Sequence, residues 1–125
     1  MPHLKIDYTA NIEAETDMGA LCKVLARTLV ELEDGQGRTV FPFDGTRVLA
    51  CPAPHHAVAD GEHDKAFVYL NLRIAPGRGA ALLKHVGETL LAVVTAHFAP
   101  LRARRPLRLT LHIDEGTPLY EGKLS

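Results

Sequence analysis

Three kinds of residue in this chain have chemistry to offer: a proline at position 2, arginines that follow glycines, and a scatter of histidines and cysteines. Pro2 stands directly behind Met1, and its small side chain makes Met1 an easy target for removal in the cytosol. Removal would leave Pro2 as a secondary amine at the chain terminus. An α-amino group titrates near ~7.7–8.0 and a prolyl amine somewhat higher, so such a nitrogen can take and return a proton near neutrality. With Met1 attached the same nitrogen is an amide and cannot act as a base. The structural alternative is that Pro2 only opens an edge strand, where a missing N–H need not enter the ladder.

Arg78 lies in Pro76-Gly77-Arg78-Gly79, where glycines let the backbone turn tightly into a helix. The free N–H groups and dipole of a helix start favour an anion, and a guanidinium beside them can grip a carboxylate with two hydrogen bonds. Arg47, two places after Gly45 at the opening of a strand, is an arrangement of the same kind. One possible base and two anion holders form a consistent set. The remaining candidates are weaker. His55-His56 and His63-Asp64 fall in loops, adjacent histidines point apart, and no second ligand pair sits at helical spacing, so we read them as surface residues and expect no metal. Arg102, Arg104 and Arg105 read as a solvated bend. Gly-x-Ser-x-Gly, Walker, His-Glu-x-x-His and Cys-x-x-Cys patterns are all missing.

The elements that must position these residues follow from periodicity. Leu4, Ile6 and Tyr8 share Pro2's parity while His3, Lys5 and Asp7 take the other, the alternation of a half-buried strand. Thr9-Ala10-Asn11 reads as a turn or strand end. Thr16-Asp17 offers an N-cap, and Met18, Leu21, Cys22, Leu25 and Leu29 follow at helical spacing in a helix expected to end near Leu32 to Asp34, where Gly35-Gln36-Gly37 stops it. A strand is expected at about 46–51, stopped by Pro52-Ala53-Pro54, and a central strand at 65–75, apolar on both faces. A helix is expected over about 80–99, ended by Pro100 and the basic bend. Leu107, Leu109, Leu111 and Ile113 alternate in a last strand.

Two β-α-β halves, about 1–58 and 59–125, make one domain of the α+β class: a four-stranded mixed sheet with both helices on one face. The other face still carries Leu, Tyr and Phe, so an oligomer is expected to cover it. The 125 residues suffice for one core, and a net charge of −1 argues against wholesale nucleic-acid binding. No apolar run approaches the ~20 residues that span a bilayer. Cys22 and Cys51 read as small buried hydrophobes in a reducing compartment, and a cytoplasmic protein is expected.

Pro2-His3, Asn11-Ile12 and Pro42-x-x-Gly45-x-Arg47 carry a resemblance. So does Ala59-Asp60-Gly61-x-His63-Asp64-x-Ala66-Phe67-Val68, continued by Leu72-x-Ile74, Gly77-Arg78, Gly87-Glu88 and Thr95-x-His97-Phe98-Ala99. The chain resembles the 5-carboxymethyl-2-hydroxymuconate isomerase family, of the tautomerase superfamily with an amino-terminal proline, over nearly its whole length. The resemblance implies a homotrimer of tautomerase-like β-α-β sandwiches. It implies Pro2 as catalytic base and Arg47 and Arg78 as ligands for a small di- or tricarboxylate substrate. The implied reaction is enol-to-keto isomerisation of a 2-hydroxy-dienoate in homoprotocatechuate degradation, without cofactor or metal. Two departures bear on the substrate: Leu49 stands where the family places a second arginine, and 50–56 lacks the tryptophan found there. A tautomerase for a different 2-oxo acid, or a non-catalytic acid-binding relative, are the alternatives.

Overall fold

A computed structural model of the chain describes residues 1–124. Strand β1 (His3–Thr9) leads through a short 3-10 helix (Ala10–Glu15) to helix α1 (Met18–Glu31) and strand β2 (Arg47–Ala53). Strand β3 (Phe67–Ile74), helix α2 (Ala80–Arg102) and strand β4 (Arg108–Glu115) repeat the pattern. The strands form one sheet in the order β2-β1-β3-β4. Each outer pair is parallel, β1 with β2 and β3 with β4, and the central pair β1–β3 is antiparallel. A parallel pair needs a long crossover, and each helix supplies one.

The alternation of β1 is obeyed: Leu4, Ile6 and Tyr8 are buried under the helices. Val68, Leu70, Leu72 and Ile74 of β3 lie on the same side of the sheet. Leu21, Leu25 and Leu29 of α1 meet this face, as do Val86, Leu90, Val94 and Phe98 of α2, in a single core. Asp17 caps α1 by accepting a hydrogen bond from the Ala20 N–H at 2.9 Å. The helix ends at Glu31, where Leu32 turns extended and keeps its side chain buried, at the near edge of the expected end. Gly37, at φ +77°, instead makes the return turn possible.

Three boundaries depart from the sequence reading. Strand β2 runs through Pro52 to Ala53. The Arg47 N–H points at β1, bonding the Pro2 carbonyl, so by the two-residue period the nitrogens of Val48, Ala50 and Pro52 face away from it, and on an edge strand a missing donor there costs nothing. Helix α2 continues through Pro100 to Arg102. The carbonyl that Pro100 leaves unbonded belongs to exposed Ala96, which water reaches. Strand β3 is shorter than its apolar run, and residues 10–15 wind into a 3-10 helix where only a turn was expected. The far face of the sheet is more polar than anticipated. Half-buried Leu49, Phe67 and Tyr69 share it with Lys5, Asp7 and the pairs Tyr69–His112 (2.9 Å) and Asn71–Asp114 (2.7 Å).

Candidate active site

Strands β1 and β2 start side by side, and the antiparallel β3 ends beside them, Arg73 standing opposite His3. This topology brings the N-terminus, the opening of β2 and the Pro76–Gly79 entry to α2 to one end of the sheet. Pro2 is buried there, its carbonyl accepting a hydrogen bond from the Arg47 N–H at 3.2 Å. All three candidate residues, Pro2, Arg47 and Arg78, lie at this end.

The two arginines are held differently. Arg78 is half-buried, donating from Nη2 to the Val40 carbonyl and from Nη1 to the Ala75 carbonyl, each at 3.1 Å. Its guanidinium stacks 4.9 Å from the centre of the buried Phe41 ring. A guanidinium has five N–H donors, so these bonds fix it and leave donors for a ligand. Arg47 is exposed, and among the described residues its guanidinium has no hydrogen-bond or ion-pair partner. Its register with His3, and that of His3 with Arg73, places three basic side chains in a row on the open face, ending at Asp114. Arg73 and His3 were not singled out in the sequence; only strand register reveals them. The Arg73 guanidinium lies where a Cβ on Gly116 would be, so a side chain at 116 would displace it.

One wall of this end is the turn from Phe41 to Gly45. Arg78 anchors it at Val40 and Phe41, and the Thr46 hydroxyl closes it by donating to the Pro42 carbonyl at 2.7 Å. A Cβ added to Gly45 would lie 3.1 Å from the Met1 side chain and 3.1 Å from the Pro42 ring. Met1 therefore rests on this turn. Met1, bonded to the Pro2 nitrogen, fills the space next to that nitrogen.

Other titratable groups take structural places. The buried Tyr8 hydroxyl donates to Glu13, and burial together with that carboxylate pushes the phenol far above its usual range. His97 shares a 2.9 Å hydrogen bond with Thr16, and burial holds its imidazole below the ordinary value. Cys22 and Cys51 are unbridged, and burial pushes the Cys22 thiol up. Among the described residues no group of three or more His, Cys, Asp or Glu side chains is placed to hold a metal ion. A cavity of about 1330 Å³ opens at the opposite end of the sheet and is lined by none of Pro2, Arg47 and Arg78.

A family model described as 5-carboxymethyl-2-hydroxymuconate isomerase matches residues 2–125. The chain belongs to this family. It is similar to the 5-carboxymethyl-2-hydroxymuconate Delta-isomerase of Escherichia coli, 32% identical over 123 residues, covering 98% of this chain and 93% of the relative. A crystal structure of a 5-carboxymethyl-2-hydroxymuconate delta-isomerase superposes with TM-score 0.94 at 44% identity, covering 100% of this chain and 89% of the other. The 5-carboxymethyl-2-hydroxymuconate isomerase from Deinococcus radiodurans gives 0.84 at 34% identity, covering 98% and 88%. A fused 4-OT symmetric trimer shares the fold at TM-score 0.59 and 13% identity, covering 98% and 93%. In this isomerase family the tautomerase-like α+β sandwich expected from the sequence is the fold found.

Proposed function

We propose that the chain is a cofactor-independent enol–keto isomerase acting on a carboxylated 2-hydroxy-dienoate, with Pro2 as base. What carries the reading is the gathering of Pro2 with Arg47 and Arg78 at one end of a sheet that belongs to an isomerase family. Ketonising a dienol removes a proton from oxygen and delivers one to carbon. The O–H bond breaks, its electrons form the C=O bond, the double bond shifts, and carbon takes a proton back. No electron leaves the substrate and no group is transferred, so one amine that takes the proton and returns it suffices.

The surroundings suit that amine. Burial of Pro2, and a guanidinium brought near its nitrogen, would each favour the neutral amine, and each unit by which a pKa falls corresponds to about 1.4 kcal/mol. Arg78, already fixed by two carbonyls and a ring, would hold one substrate carboxylate, and the free Arg47 a second. Charge developing on the 2-oxygen would be stabilised by the same cations. The trimer belongs to this reading too: a sheet face bearing half-buried Leu49, Phe67 and Tyr69 calls for cover by other copies. A cytoplasmic setting, where methionine removal occurs and cysteines stay reduced, completes it, with aromatic catabolism by way of homoprotocatechuate as its context.

A specific observation supports a second substrate within the same chemistry. Leu49 pairs with Lys5 on the open face, in a position the family gives to arginine, and the chain has no tryptophan. A smaller or less charged 2-oxo acid fits that change. The test is intact mass and absorbance kinetics on one sample with 2-hydroxymuconate and a panel of 2-oxo acids. Protein lacking Met1 is expected to turn over, and Pro2→Ala to lose at least a hundredfold in kcat/KM. Wild-type rates in Pro2→Ala, or a fully inactive protein that has lost Met1, would reject the base.

A further inference from the structure

Strand order and direction relate the two β-α-β units by an approximate two-fold axis, β1 with β3 and β2 with β4. The relation reaches individual atoms. Arg47 opens β2 and its N–H bonds the carbonyl of Pro2, the residue before β1, at 3.2 Å. Arg108 opens β4 and its N–H bonds the carbonyl of Ala66, the residue before β3, at 3.4 Å. The far end of the sheet is thus the counterpart of the Pro2 end, with the arginine kept and the proline replaced by alanine. Ala66 lies mid-chain, so its nitrogen is an amide and no base stands there.

The cavity of about 1330 Å³ opens at this counterpart end. Phe67, Leu107 and Leu109 give it apolar walls, and Lys65, Arg102 and Arg108 stand among the residues that line it. Among the described residues none of these three cations is in an ion pair. The one acid of the lining, Asp64, is engaged elsewhere, by Asn11 at 2.9 Å and Arg105 at 3.5 Å. Three uncommitted cations over an apolar floor suit a small acid with a flat or apolar body.

We infer that this groove is a second small-carboxylate site, which holds its ligand without converting it. Its occupant is a small mono- or dicarboxylate, gripped by Arg102 and Arg108 with its carbon body against Leu107 and Leu109. The inference does not depend on Pro2 being a base.

The probe is cis,cis-muconate, a conjugated dicarboxylate with no hydroxyl to ketonise, titrated calorimetrically into protein that has lost Met1. Two molecules per chain are expected, the site at the far end weakening at least tenfold from 50 mM to 500 mM salt as its exposed cations are screened. The double variant Arg102→Ala, Arg108→Ala should bind one molecule per chain, keep wild-type kcat/KM for the 2-hydroxy-dienoate, and keep its melting temperature, since both side chains are solvent-exposed. In the wild type, amide NMR shifts of Ala66, Phe67 and Leu107 should move with the probe. Binding of two molecules by the double variant, or a single wild-type site that the double variant retains, would overturn the inference. A single wild-type site lost in the double variant would instead uphold it and count against ligand binding at the Pro2 end.

Discussion

Arg78→Ala separates two roles that the geometry gives to one side chain. The guanidinium ties Val40 to Ala75 through two hydrogen bonds and covers Phe41. Hydrogen bonds from charged groups contribute ~1.5–3 kcal/mol each when buried; half-exposure brings these nearer ~1 each. A cation–π contact adds ~0.5–1 kcal/mol. The sum predicts a loss of about 2–3 kcal/mol, or about 10 °C in melting temperature for a domain of this size. Arg78→Lys keeps the charge but not the fork or the stacking, and should lose about half as much. Urea and thermal unfolding by circular dichroism measure the stability, and steady-state kinetics the second role, for which Arg78→Ala should raise KM at least tenfold. Stability within ~0.5 kcal/mol of wild type would refute the anchoring of the 41–45 turn. Full loss of stability with unchanged KM would refute carboxylate binding.

Arg47→Ala supplies the contrast: with no side-chain partner among the described residues, it should leave the melting temperature within a degree or two while raising KM. Phe98 is 0% exposed in the core, so Phe98→Ala should cost about 3–5 kcal/mol in chemical unfolding, with the fold's cooperativity kept. His97 gives a pH dependence whose sign is fixed by its burial, which holds the imidazole below its ordinary 6.5 against the opposing pull of Asp17. The unfolded chain then binds the proton more readily, so this contribution is full above about 6.5 and is lost as pH falls towards the folded value. The urea midpoint of wild type should fall from pH 7.5 to 5, and His97→Gln should remove part of that slope.

Alternation and helical spacing carry most of the architecture because burial repeats with the period of each element. Leu4-Ile6-Tyr8 and Leu21-Leu25-Leu29 declare their faces without any neighbour being known. What they do not declare depends on partners elsewhere. Pro52 reads as a breaker until β2 is known to be an edge with that nitrogen turned outward, and Pro100 until its lost carbonyl partner is seen to be wet. Pro2, Arg47 and Arg78 were legible from residue type and glycine context. The row of Arg47, His3 and Arg73 was not, since it exists only through the pairing of β1 with strands 44 and 70 residues away in register. The Arg108–Ala66 bond was hidden for the same reason. The pattern of two β-α-β units was visible early, but the likeness of their ends lies in backbone hydrogen bonds that no side-chain pattern encodes.

Met1 lies 41% exposed on the Pro42–Gly45 turn, over a buried Pro2. On the proposed mechanism the site stays stoppered for as long as Met1 is joined to Pro2, and a peptidase, not a ligand, opens it. Anyone purifying the protein should therefore attach the affinity handle at the far terminus, where Leu119, Tyr120 and Leu124 already project into solvent. A handle fused ahead of Met1 would yield a well-folded preparation that does nothing.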